Sequence, residues 1–152
     1  MRKISFAVVG TLVVLVAIAG CGAGTSGSPL PSGASQVYTG QILFGSSVSA
    51  DTMTVATPIT TAKVGDVIGW VAYLNDAAKS TTLTVTVASV SSGGAEAEVD
   101  HATAQVSNPQ FNQFAHVPDN SLSAYGAGKF TVRYIRPSDG AVLATGTITL
   151  TP

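Results

Sequence analysis

Apolar and polar residues alternate with a period of two through much of the second half of the chain. Leu83, Val85 and Val87 fall on one side of an extended segment, with Thr82, Thr84 and Thr86 on the other. Phe130, Val132 and Tyr134 alternate in the same way with Lys129, Thr131 and Arg133. Ala144, Gly146, Ile148 and Leu150 alternate with Thr145, Thr147 and Thr149. Successive side chains of a strand point to opposite faces, so each segment predicts a strand with one buried and one wet face. Residues 67–74 (Val-Ile-Gly-Trp-Val-Ala-Tyr-Leu) are apolar on both faces, which predicts a central strand with Trp70 at the middle of the core. Gly65-Asp66 and Asn75-Asp76 bracket it as turns, and Pro137-Ser138-Asp139-Gly140 predicts a hairpin between the last two strands.

No long stretch of this region carries a helical period. Helix competes only at 95–106 (Ala-Glu-Ala-Glu-Val-Asp-His-Ala-Thr-Ala-Gln-Val), where alanines favour helix and strict alternation favours strand. The reading taken is strand, with Glu96, Glu98 and Asp100 together on its solvated face. Short strands separated by turn residues define an all-β fold, an antiparallel β-sandwich spanning 37–152.

The start of the chain follows another pattern. Arg2 and Lys3 precede an uncharged apolar run over 4–19, and small residues follow it. A cationic start, an apolar middle and a small-residue end describe a secretory signal peptide over 1–20. Residues 21–36 are rich in Gly, Ser and Pro, without apolar periodicity, and read as a flexible linker.

Two resemblances follow. Ile18-Ala19-Gly20-Cys21 resembles the lipobox of bacterial lipoproteins, and Cys21 is the only cysteine. That resemblance implies cleavage before Cys21 and attachment of lipid to its sulfur. The partner would be a membrane, and the location the extracytoplasmic side of the cell membrane. Two acyl chains anchor stably where one does not. The stretch from Ile42 to Leu150 resembles an immunoglobulin-like sandwich domain of exported bacterial proteins. The resemblance is carried by Ile42-Leu43-Phe44, the lead-in Gly65-Asp66-Val67-Ile68 to the strand of Trp70, residues 81–87, Phe114, Gly128-Lys129-Phe130-Thr131-Val132 and the closing hairpin. It departs from immunoglobulin domains proper in having no cysteine pair, and in Phe130 where a corner tyrosine is expected.

Composition narrows the function. Seven Lys/Arg balance eight Asp/Glu, and charged residues make up 10% of the chain, which leaves no basic surface for nucleic acid. Motifs for a nucleophilic serine, a zinc protease or a phosphate loop are absent from the sequence. His101, His116 and the neighbouring carboxylates are donor types that zinc and copper accept, but their spacing is not one of a metal site. No cofactor or metal is therefore expected. The amide-rich stretch 108–118, with Phe111 and His116, and Tyr125 beyond it, is the candidate binding surface. Aromatic rings stack on sugars or peptides while amides orient them. In the plainer reading of the same stretch, Phe114 is core and Phe111 plugs a loop. The leading expectation is a non-catalytic binding or accessory module of the cell envelope, with a protein or polysaccharide partner. The alternative is a metal- or solute-binding lipoprotein using His101 and His116.

Overall fold

The structure is a computed structural model that describes residues 38–152. Cys21, the signal segment and the linker lie outside the described residues. Ten strands are described: β1 (Gln41–Gly45), β2 (Val48–Ser49), β3 (Thr54–Val55), β4 (Thr61–Lys63), β5 (Ile68–Tyr73), β6 (Thr82–Val90), β7 (Glu96–Gln105), β8 (Gln113–Asp119), β9 (Gly128–Arg136) and β10 (Ala141–Thr151). A single 3-10 turn, Leu122–Tyr125, joins β8 to β9. The fold is thus all-β. The main sheet runs β7-β6-β9-β10-β1-β5-β8, with β4 beside β10 and β2–β3 as a separate hairpin. Pairing is antiparallel except where β1 and β4 run parallel to β10.

The sheet is curled, and its inner face encloses one core. Leu83, Val85 and Val87 of β6 meet Phe130, Val132 and Tyr134 of β9, Ala144, Ile148 and Leu150 of β10, and Ile42 and Phe44 of β1. The predicted alternation is what puts these residues on one side. Gly146 shares this face because β1 crosses close above it. A Cβ there would lie 2.6 Å from the Ile42 carbonyl oxygen and 2.9 Å from the Phe44 ring.

Strand β5 is buried along its whole length, as its composition predicts, but it is not central. It lies one place in from the β8 edge. Its inner residues Ile68, Trp70 and Ala72 belong to the core, and Trp70 is 2% exposed. The β2–β3 hairpin lies over the opposite face, where the Tyr73 hydroxyl donates to the Met53 carbonyl at 2.8 Å. A covering hairpin, not sheet position, explains the second buried face. Val67 falls outside the strand and is exposed.

The closing hairpin forms at the predicted turn. Gly140 takes a positive φ of 70°, and its N–H donates to the Arg136 carbonyl at 2.9 Å. Asp139 receives both Arg136 Nε and the Ala141 N–H. Segment 95–106 is strand, yet its alternation does not hold. The pairing with β6 slips between Val87↔Asp100 and Ala88↔Glu98, leaving Val99 as an extra residue. This bulge puts Asp100 on the inner face with Val87, while Glu98 and Glu96 stay outside. The expectation of three carboxylates on one solvated face is corrected for Asp100. A bulge re-aims the residues on its two sides relative to each other.

Candidate functional site

The curl brings β7 and β8, the two ends of the main sheet, to either side of a seam. Residues of five strands line a cavity of about 20 Å³ there: Trp70, Val87, Asp100, Ala102, His116 and Tyr134 among them. That volume holds about one water molecule, so the seam is a packed polar centre within an apolar wall, not a ligand chamber.

Trp70 and His116 oppose each other across β5 and β8, and their rings stack with centroids 3.8 Å apart. The β5–β8 pairing carries a bulge beside them, between Ile68 and Trp70. Gly69 makes it sterically allowed, since a Cβ there would meet the His116 carbonyl oxygen at 2.6 Å. The indole N–H donates to the Tyr134 hydroxyl at 3.2 Å. Burial pushes Tyr134 up to about 12, with the indole N–H pulling the other way. His116 is held below the ordinary imidazole range by burial, against the opposing pull of Asp119. Its Nε2 lies 3.2 Å from Asp119 Oδ2.

The order of contacts decides what this cluster can do. The Ser121 hydroxyl donates to Asp119 Oδ1 at 2.6 Å, so the carboxylate stands between hydroxyl and imidazole. A nucleophilic serine needs the imidazole as its immediate partner. This arrangement orients a histidine and caps a turn.

Across the seam, the Tyr125 hydroxyl donates to Asp100 Oδ2 at 2.6 Å. Burial first, and the Asp100 carboxylate second, hold the Tyr125 phenol well above its ordinary range. The ring also packs beside Phe130 at 5.9 Å between centroids. Tyr125 is therefore fixed at both ends, and it forms one wall of a larger groove of about 570 Å³. Two lateral rows shape that groove. Phe130, Ser89 and Ala97 lie side by side across β9, β6 and β7 on the inner face, while the next row, Lys129, Val90 and Glu96, borders the groove from the outer face of the sheet. The Val99 bulge completes it, with the valine side chain 42% exposed.

The expected site residues separate into two places. His116 and Tyr125 lie by the seam, and Asp119, which contacts His116, also acts electrostatically on Tyr125. Phe111 does not join them. Its carbonyl accepts from the Ala78 N–H at the Tyr73 end of β5, whereas Tyr125 follows the Ile68 end, which pairs with Asp119. The Phe111 ring is 47% exposed, so it does not plug its loop either, whereas Phe114 packs against the core as expected. His101 borders the seam cavity as well, but its side chain is largely exposed, with Nδ1 3.2 Å from Glu98 Oε1. Among the described residues no group of three or more His, Cys, Asp or Glu is placed to hold a metal ion. Cys21 lies outside the described residues.

Ala97 and Val99 escaped sequence reasoning, and Asp100 was expected on the wrong face, because only the bulge assigns their faces. Compared with known protein families and with curated proteins, the chain matches none.

Proposed function

We propose that the chain is a membrane-anchored lipoprotein of the cell envelope whose exported part is an immunoglobulin-like sandwich acting as a non-catalytic binding module. The strand order supports the sandwich. Within the one curled sheet, β4-β10-β9-β6-β7 lies on one side of the parallel pair Gln41↔Thr145 and β1-β5-β8 on the other, the order that two facing layers would have. The first part of the chain thus supplies one strand, β1 or β4, to each side of that junction.

One observation carries the binding role: the groove beside Tyr125 lies away from the place where the chain arrives from its N-terminal side. Gly40 is level with Thr145, whose N–H donates to its carbonyl, while the groove residue Gly128 is level with Leu150. Five residues of strand separate these levels, about 17 Å. With lipid on Cys21 and a flexible linker after it, the groove lies at the end of the domain away from its tether, open to a protein or polysaccharide of the envelope. The cluster at the seam, with its carboxylate in the middle, supports binding over catalysis. The metal-binding alternative lacks a donor cluster among the described residues and is not pursued.

The test is co-sedimentation of the purified full chain with isolated envelope polymers. Retention that drops when Ala97→Phe fills the groove supports the reading. Retention indifferent to that change, or none at all, contradicts it.

A further inference from the structure

We propose that the end of the domain at which the chain arrives rests on the bilayer surface, with the ring of Phe111 entering the boundary between headgroups and acyl chains. This inference rests on the membrane-anchor reading and adds an orientation to it.

Position comes first. The described chain begins at Tyr38, whose ring packs beside that of Tyr73 at 5.5 Å, and the Gly40 N–H donates to the Tyr73 carbonyl. The next residue of that segment, Leu74, donates its N–H to the Asn112 carbonyl. Since β5 lies between β1 and β8, the entry of the chain and the loop of Phe111 are two strand spacings apart, roughly 10 Å. The Asn75 N–H donates to the Leu143 carbonyl, which brings Val142 to the same end. Singly exposed apolar residues are ordinary. Phe111 and Val142, both exposed, differ in sharing the end from which the tether leaves.

Phe111 is also held in place. Its N–H donates to the Asn108 carbonyl, and the carbonyls of Pro109 and Phe111 accept from the N–H groups of Lys79 and Ala78. Seating the ring in lipid therefore orders little further backbone. Asn108, Gln110 and Asn112 surround it with neutral amides. An apolar ring within a polar collar suits the interface, where one side is apolar and the other wet.

Charge does not oppose the contact. The segments gathered at this end, 38–40, 74–80, 108–112 and 136–142, carry Asp76, Lys79, Arg136 and Asp139. Lys79 pairs with Asp76 at 2.6 Å, and Arg136 with Asp139 at 2.9 Å and Asp76 at 3.4 Å. Two cations and two anions thus form one neutral network. The β2–β3 turn, held to Tyr73 through the Met53 carbonyl, adds Asp51 at the flank, so zwitterionic lipid suits this end better than anionic lipid.

The tether makes a weak contact sufficient. A Gly/Ser-rich chain of the length of 22–37 reaches about 22 Å on average. The 11 residues of β10 extend over about 36 Å. The Phe111 end therefore meets the bilayer more often than the far end, at a high effective concentration.

The experiment places the full chain, purified from membranes, in phosphatidylcholine vesicles brominated on their acyl chains, with vesicle flotation run beside it. Wild type sets the baseline, because Trp70 is buried. Phe111→Trp is expected to add emission that shifts to shorter wavelength and is lost to bromine. Val67→Trp, exposed at the Ile68 end of β5, is expected to keep its added emission. Val142→Trp is quenched as well, and Phe111→Asp in the same chain relieves that quenching. Equal quenching at Phe111→Trp and Val67→Trp, or none at Phe111→Trp while the chain floats with the vesicles, overturns the proposal and leaves the anchor in place. A chain that does not float removes both. Emission of Phe111→Trp that responds to envelope polymers and not to vesicles assigns the ring to polymer binding and overturns the proposal too.

Discussion

The indole of Trp70 lies flat against the imidazole of His116, centroids 3.8 Å apart and planes 15° apart. The two face each other across β5 and β8, and Asp119 stands at the outer edge of the imidazole, 3.2 Å from its Nε2. The stack closes one side of the seam and fills it with an imidazole that burial holds below its ordinary pKa range.

Stability should therefore depend on pH through His116. Burial lowers its folded pKa below the unfolded value, so the folded chain prefers the neutral ring. Above the unfolded value of about 6.5 both states are neutral and stability is full. As pH falls below that value, the unfolded chain takes up a proton before the folded one does, and stability declines toward the folded pKa. Denaturant midpoints read by fluorescence should drop between pH 8 and pH 5.5, with Trp70 as the sole reporter because the chain has one tryptophan. His116→Phe keeps a stacked ring and should flatten the profile. An unchanged profile in that variant would show that the dependence arises elsewhere.

Removing the indole should be more costly than any surface change. Trp70→Ala is expected to lose about 3–5 kcal/mol, followed by far-UV dichroism since the fluorophore is gone. Tyr134→Phe takes away only the hydroxyl that accepts the indole N–H at 3.2 Å. A buried donor without an acceptor costs about 1–3 kcal/mol. A melt of Tyr134→Phe indistinguishable from the parent would deny that this bond forms.

Gly146→Ala tests the approach of β1 to β10. Its Cβ would stand 2.6 Å from the Ile42 carbonyl oxygen, closer than any packing allows. The usual gain of alanine over glycine in strand propensity should be reversed. Amides of β1 should exchange hydrogen faster in this variant, while those of β6 keep their protection. Equal protection in β1 would mean that the strands are further apart than described.

Tyr125→Phe removes the bond from the ring to Asp100 at 2.6 Å. Both partners are only part-buried, so about 1 kcal/mol is expected, below the full worth of a hydrogen bond to a charged group. The local effect should be larger: amides near 98–102 should lose protection against exchange. Loss of stability without that local change would place the role of Tyr125 in its packing on Phe130.

Much of the fold was legible because alternation is a local property. The Thr/Val pattern of 82–87 and the aromatics at 130 and 134 declare their faces without reference to neighbours, and Pro137–Gly140 declares a turn. What was not legible depends on pairing. Nothing local says that the β2–β3 hairpin covers Val71 and Tyr73, or that β1 and β4 run parallel to β10. Asp100 is the sharpest case, since a regular strand puts it beside Glu98 and one extra residue at Val99 reverses it. The candidate site suffered likewise. Phe111, His116 and Tyr125 are near in sequence, but β8 is an extended strand of seven residues, about 23 Å long. That length carries Phe111 to one end and Tyr125 to the other.

The anchor is the claim on which the outward-facing groove depends, and intact mass spectrometry of the full chain purified from membranes tests it most directly. The account predicts a mature polypeptide beginning at Cys21, heavier than its sequence by a diacylglyceryl group. A Cys21→Ser variant should carry no lipid mass. A wild-type product that retains Met1, or that begins at Cys21 with an unmodified thiol, would contradict it.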